Sequence, residues 1–247
     1  MRQFAESSRE RFLQPDEVSR FFKALVDEPN ETIRDYLMMS LLTGARRADV
    51  LSMRWDQVNF ERAEWRIPTT KSGKPHTIPL LGEAVSILKR RHPNGHCDEK
   101  PYVFGGPGVR GHLVEPKKGW RRVLDRAELY QLTEWIGEEK GWTQTQIAEA
   151  RTGSHFRKPL KEARAAIKAL GRDPRAARIA DLRIHDLRRT LGSWQAATGA
   201  SLPMIGRTLA HKNVNTTAIY ARLNLDPIRE VAGVSNHCCR VRPTSSR

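Results

Sequence analysis

The reading of this chain turns on the run Ile184-His185-Asp186-Leu187-Arg188-Arg189-Thr190. It opens an amphipathic helix predicted over His185 to Ala197. On a helix His185 and Arg188, three apart, share a face. Working outward, Gly199 caps that helix, and Ser201 with Pro203 opens the next, which runs to Leu209. Leu209-Ala210-His211 follows, and Tyr220 stands nine residues beyond His211. Thr216 to Leu223 reads as a further helix and Pro227 to Val231 as a short last one. Residues 235–247 read as a loose basic tail.

Upstream, residues 1–12 are polar and charged. A helix is predicted from Pro15, with Val18, Phe21, Phe22 and Leu25 at helical spacing, ending at Pro29-Asn30. The second helix carries Ile33, Tyr36, Leu37, Ser40 and Leu41 on one side and stops at Thr43-Gly44. A short helix from Arg47 to Met53 precedes Trp55, a core candidate like Trp194. Val58, Phe60, Trp65 and Ile67 predict two short strands, and Thr77 to Leu80 a third. Lys71-Ser72-Gly73-Lys74 is the turn between the second and third, which presents Lys71 at a hairpin tip. Glu83 to Arg91 reads as a helix and Tyr102-Val103-Phe104 as a buried strand. Gly105-Gly106-Pro107-Gly108 lacks the spacing and the following Lys-Ser/Thr of a nucleotide loop. Helices are then predicted over Trp120 to Tyr130, Thr145 to Ala150 and Pro159 to Leu170.

Charge points to a partner. The 247 residues carry 43 Lys plus Arg against 28 Asp plus Glu, a net +15. Of the basic residues 31 are Arg, whose guanidinium forks match phosphate oxygens in pairs. Residues 110–150 balance seven basic against seven acidic groups, while residues 151–191 hold twelve against four. A basic helix there lies against a DNA backbone or is a solvated face. A hydrophobic content of 38% argues against wholesale disorder. No stretch approaches the roughly 18 apolar residues of a membrane span, and the first residues lack the apolar core of a signal peptide. A cytoplasmic protein is expected. Cys97, Cys238 and Cys239 cannot build a disulfide framework, and with His92, His96 and His237 they lack paired zinc-ligand spacing.

Four pieces carry chemistry: Thr43-Gly44-Ala45-Arg46-Arg47-Ala48-Asp49, Lys71 on its hairpin, the His185 to Thr190 run, and Leu209-Ala210-His211 with Tyr220. Two arginines, two histidines, a lysine and a tyrosine offer no carboxylate pair for Mg²⁺. They can stabilise a phosphoryl transition state through guanidinium and imidazole groups. A tyrosine can then serve as nucleophile and a lysine or histidine as proton donor. Taken singly, each has a plainer reading: Arg46 as a cation at a helix C-terminus, Asp49 as its ion-pair partner, Lys71 as a solvent-facing turn residue, Tyr220 as a packed aromatic.

Together, in this order and spacing, these pieces resemble the catalytic domain of the tyrosine recombinases, the phage-integrase family. The pattern is an Arg after a Thr-Gly turn with an acidic residue three further on, a hairpin Lys, His-x-x-Arg, Leu-Gly-His and a nucleophilic Tyr. The resemblance covers about residues 11–232. It implies an α+β, mostly helical fold with a small three-stranded antiparallel β-region near the N-terminal third. It implies that Arg46, Arg188 and His211 hold the scissile phosphate. His185 handles the proton of the Tyr220 hydroxyl, and Lys71 protonates the leaving 5′-oxygen. Asp49 orients the site. Tyr220 attacks phosphorus to give a 3′-phosphotyrosyl link with no metal and no cofactor.

The implied activity is site-specific recombination or integration of double-stranded DNA by a homo-tetramer on two sites, assisted by DNA-bending accessory proteins, with no membrane. A truncated DNA-binding remnant that cannot complete recombination is the alternative, and a relaxing topoisomerase uses the same chemistry. The expected organisation is a remnant or linker over 1–12, the catalytic domain over 13–232 and a basic tail over 233–247, without the usual N-terminal core-binding domain. The segment 109–180 is enlarged. Ala210 stands where the family has Gly, and Arg189 where it often has His.

Overall fold

The computed structural model of the chain describes residues 10–69, 73–92, 101–151, 156–211 and 214–222. Helix α1, Pro15–Val26, starts where predicted, with proline in its first turn. The Glu17 carboxylate accepts from the Gln14 N–H at 3.0 Å, which satisfies one orphan donor of the helix start. Helix α2, Glu31–Thr43, is capped by the Asn30 side chain, which accepts from Ile33 N–H at 3.0 Å. It ends at Gly44, φ +57°. A Cβ there would stand 2.7 Å from Leu209 and 2.8 Å from Leu191, so glycine serves both the turn and the close approach. Helix α3, Arg47–Leu51, follows directly.

The sheet is antiparallel in the order β1 (Val58–Asn59), β2 (Glu64–Ile67), β3 (His76–Pro79). Trp65 pairs with Ile78 and Ile67 with His76. Trp65, Ile67 and Ile78 are buried, so this face closes onto the core of α1, α2 and helix α4, Gly82–Arg91. Lys71 lies outside the described residues, as do His96, Cys97, Cys238, Cys239 and the predicted helix from Pro227.

Tyr102-Val103-Phe104 is not a strand. It makes one isolated bridge, Arg54 with Tyr102, and Val103 N–H donates to the Met53 carbonyl at 2.9 Å. Val103 and Phe104 are buried, but Gly105-Gly106 turns the chain before a ladder can grow.

The segment after the sheet is a helical unit built on helix α5, Lys117–Lys140. At 24 residues it is about 36 Å long, well beyond the predicted Trp120 to Tyr130. Its N-terminal part, as far as Tyr130, gives Trp120, Val123, Ala127 and Tyr130 to the main core. Leu129, Leu132 and Ile136 instead join Leu160, Ala163 and Ile167 of helix α7, Arg157–Ala169, in a second core. Helix α6, Gln144–Arg151, adds Ile147 against Gly137. Buried Glu128 is gripped by Arg164 through two 2.7 Å hydrogen bonds and ion-paired with Arg178 at 3.3 Å. Buried Glu28 is held by Arg122 and Arg126, which ties α5 to the end of α1.

Helices α8, Asp186–Ala197, and α9, Leu202–Thr208, lie near their predicted bounds. The predicted Thr216 to Leu223 helix is instead a single turn, α10 (Val214–Thr217), that tightens into a 3-10 turn over Ala218–Arg222. Tyr220 lies in this 3-10 turn and packs with Ala196, Ile205 and Leu209 in a third core. Among the described residues no helix is long and apolar enough to cross a membrane.

Candidate active site

Among the described residues, three of the four pieces, those of Arg46, of His185 with Arg188, and of His211 with Tyr220, meet near the start of α8. Arg188 sits in the first turn of α8 and is buried. Its Nη1 donates to the Gly44 carbonyl at 2.5 Å and its Nη2 to the Leu209 carbonyl. One guanidinium thus joins the end of α2 to the end of α9. Burial lowers its pKa to about 10, with neighbouring Arg46 adding to the effect, so it stays cationic at neutral pH.

Arg46 is not a C-terminal cation of α2 but the N-cap of α3. Its Nη2 donates to the Ala210 carbonyl at 3.2 Å. The two guanidiniums therefore hold consecutive carbonyls just ahead of His211. Two such cations side by side repel each other, and an anion placed between them relieves the repulsion. Asp49, two residues into α3, is half-buried. Burial raises its carboxyl pKa against the pull of Arg46, Arg188 and His76.

His211 Nδ1 contacts the Thr217 hydroxyl at 2.9 Å. Its pKa falls to about 4, first through burial and then through Arg188, Arg46 and His185. It is neutral at pH 7. His185, the N-cap of α8, keeps more than a third of its surface open, yet protein packed round the ring still lowers its pKa, helped by Arg189 and Arg188. Arg189 is not a free cation: its Nη1 meets Asp186 at 2.6 Å.

The Tyr220 ring is near-parallel to His211, at 5°, with centroids 6.4 Å apart. It is 2% exposed. Burial raises its hydroxyl pKa, against Arg188 and Arg189, so the phenol is protonated until a base takes the proton.

The model of the phage integrase family matches residues 11–226. The chain belongs to the phage integrase family. Curated relatives of this integrase-family chain include the integrase of Salmonella phage P22, 23% identical over 92% of this chain and 47% of the relative. Tyrosine recombinase XerA of Pyrococcus furiosus is 23% identical over 91% of this chain and 61% of its own. Prophage integrase IntF of Escherichia coli is 32% identical over 47% of this chain and 25% of its own. The integrase-family chain thus spans between a quarter and about three-fifths of these relatives' lengths.

Solved structures agree on the fold. The crystal structure of XerA recombinase superposes with a TM-score of 0.53 at 17% identity, covering 98% of this chain and 68% of that one. A post-cleavage complex of XerH recombinase with its difH substrate gives 0.56 at 15% identity, covering 95% and 56%.

Sequence reasoning overlooked two residues of the site of this integrase-family chain. His76 on β3 donates from Nε2 to the Thr208 carbonyl at 3.2 Å and feels the charges of Arg188, Arg46 and Asp49. The signal was alternation, because His76 shares a strand face with buried Ile78. Gly192 is the other. A Cβ on it would stand 2.5 Å from Cζ of Tyr220. Its signal was a glycine inside a helix, where it costs about 1 kcal/mol against alanine.

Proposed function

We propose that this chain cuts and rejoins DNA at specific sites by transesterification through Tyr220. What carries the reading is the meeting of Arg46, Arg188 and His211 around one turn, with the Tyr220 ring beside His211. Family membership supports it, and the XerH site-specific recombinase of similar fold is solved bound to its palindromic difH substrate.

Arg46 and Arg188 hold the non-bridging oxygens of the scissile phosphate, and His211 adds a third hydrogen bond. Tyr220 leaves its packed seat and its oxygen attacks phosphorus. The phenolic proton passes to His185, whose lowered pKa keeps the ring unprotonated and able to accept it. The bond from phosphorus to the 5′-oxygen breaks, and Lys71 supplies that oxygen's proton. The products are a 3′-phosphotyrosyl ester and a free 5′-hydroxyl. A 5′-hydroxyl of the partner strand then attacks the ester, and Tyr220 recovers its proton. Asp49 orients Arg46. The work is done by a homo-tetramer on two duplexes, with accessory DNA-bending proteins.

Covalent capture tests this. The protein is incubated in EDTA with nicked suicide duplexes drawn from the DNA flanking its own gene. Denaturing gels and peptide mass spectrometry are expected to find DNA on Tyr220, and none with Tyr220→Phe. DNA binding without an adduct would defeat the reading and favour a binding remnant.

A further inference from the structure

We propose that His76 is a positioning residue that holds the Leu209-Ala210-His211 turn in place from strand β3. The inference rests, for its catalytic consequence, on the recombinase reading above. Three consecutive carbonyls precede His211, and each accepts a hydrogen bond from a different element. Thr208 O takes the His76 Nε2–H, Leu209 O takes Arg188, and Ala210 O takes Arg46. A carbonyl only accepts, so His76 Nε2 carries the proton and Nδ1 is the bare nitrogen of a neutral ring. Burial keeps that ring neutral, with Arg188 and Arg46 disfavouring a further cation and Asp49 opposing them.

The three contacts are not equivalent. The two arginines are the groups that a phosphate recruits, and N–H groups turned toward its oxygens are lost to the turn. His76 has no such second employment. It sits on a strand fixed by paired residues on β2, among them Ile67 opposite His76 itself. The turn needs an outside hold because Ala210 adopts φ +48°, a left-handed conformation that persists in a non-glycine residue only when its surroundings impose it. His76 thus keeps His211 at the phosphate while the arginines change partners.

Two measurements on the full chain test this. Variants are His76→Gln, whose amide nitrogen can replace Nε2 as donor, and His76→Leu, which has none. In the first, histidine rings labelled at Cε1 are followed by NMR from about pH 8 to 5. His211 is expected to stay neutral in the parent and in His76→Gln. In His76→Leu its pKa rises by about one unit or more as the loosened turn lets the ring into water. In the second, adduct formation on the nicked duplex is timed at saturating DNA. His76→Leu is expected to slow it about tenfold to a hundredfold, a cost typical of a displacement near 1 Å, with DNA affinity unchanged. His76→Gln restores most of the rate.

Should His76→Leu fail to fold, His76→Asn replaces it, since its shorter amide cannot reach Thr208, and the same losses are expected. A variant without the donor that keeps both the His211 titration and the adduct rate of the parent would overturn the proposal. So would a glutamine variant no better than leucine. A parent that forms no adduct would count against the recombinase reading alone, and the His211 titration would still decide the role of His76.

Discussion

Gly192, midway along α8, leaves the space that the Tyr220 ring occupies: a methyl group on its Cα would stand 2.5 Å from Cζ and 2.8 Å from the hydroxyl oxygen of Tyr220. The methyl group cannot be accommodated unless the ring or α8 shifts. Gly192→Ala is therefore expected to displace Tyr220 and to destabilise the chain by about 1–3 kcal/mol, the range for overpacking a fitted site. The gain in helix propensity offsets about 1 kcal/mol of that at most. Tyrosine nitration mapped by mass spectrometry reads the displacement directly. Tyr220, shielded in the parent, becomes one of the modified residues in Gly192→Ala. An unmodified Tyr220 would mean that α8, rather than the ring, gives way.

Ala210 is a second place where backbone and side chain compete. His211 N–H donates to the Gly206 carbonyl at 2.9 Å and Ala210 N–H to the Arg207 carbonyl at 3.1 Å. These crossed bonds close a helix in the Schellman manner, with Ala210 at the position that favours glycine. The Leu-Gly-His pattern is thus a helix stop, and alanine holds the same geometry at a cost. A left-handed alanine costs about 1–2 kcal/mol, and glycine returns part of that gain as chain entropy in the unfolded state. Ala210→Gly is expected to raise stability by about 0.5–1 kcal/mol, read from the denaturant midpoint. No gain would mean that the turn is held so firmly that φ no longer matters.

Much of this was legible in the chain, and the reasons are local. Pro15, Asn30 and Gly44 stand at helix starts or stops because capping and left-handed geometry restrict what fits there. Alternation around Trp65 and Ile78 marked the hairpin. The extent of α5 was hidden because its two parts serve different cores, so no single apolar stripe runs through it. The order Arg46, His185, Arg188, His211, Tyr220 pointed to a site, but their convergence depends on Arg188 reaching carbonyls 144 and 21 residues away, which periodicity cannot register. His76 was missed because the third strand was predicted to start at Thr77, one residue beyond it, whereas β3 begins at His76.

Three histidines in one site make stability depend on pH. His211, His185 and His76 all have pKa values lowered by burial, His211 to about 4. Unfolded, each takes a proton near 6.5. Between about pH 4 and 6.5 the unfolded chain therefore binds more protons than the folded one, and stability falls as pH falls through that window. Asp49, one carboxyl against three rings, has a pKa raised by burial above its ordinary 3.8 and acts in the opposite sense. Urea unfolding at about pH 7.5 and pH 5 is expected to give a lower midpoint at the acid value. His211→Gln removes the largest of the three shifts and reduces the difference. A parent with equal midpoints would show that the rings protonate without leaving their places.

Arg188 and Arg189 are neighbours with opposite sensitivities. The Arg188 guanidinium spans two carbonyls, Gly44 O and Leu209 O, from different helices. A lysine ammonium at the end of its stem reaches one of them, and the other is left buried without a donor. Arg188→Lys is expected to lose about 2 kcal/mol, within the range for hydrogen bonds to a charged donor. Because the same fork is proposed to grip the phosphate, adduct formation is expected to fall about a hundredfold. Arg189 meets one carboxylate, Asp186, at 2.6 Å on a partly open side of α8. Lysine can replace it there with its charge retained, and Arg189→Lys is expected to cost under about 1 kcal/mol. Chemical denaturation of the two variants side by side separates the effects of charge and fork. If Arg188→Lys unfolds with the parent, charge alone is enough and the two-carbonyl bridge does not hold α2 to α9.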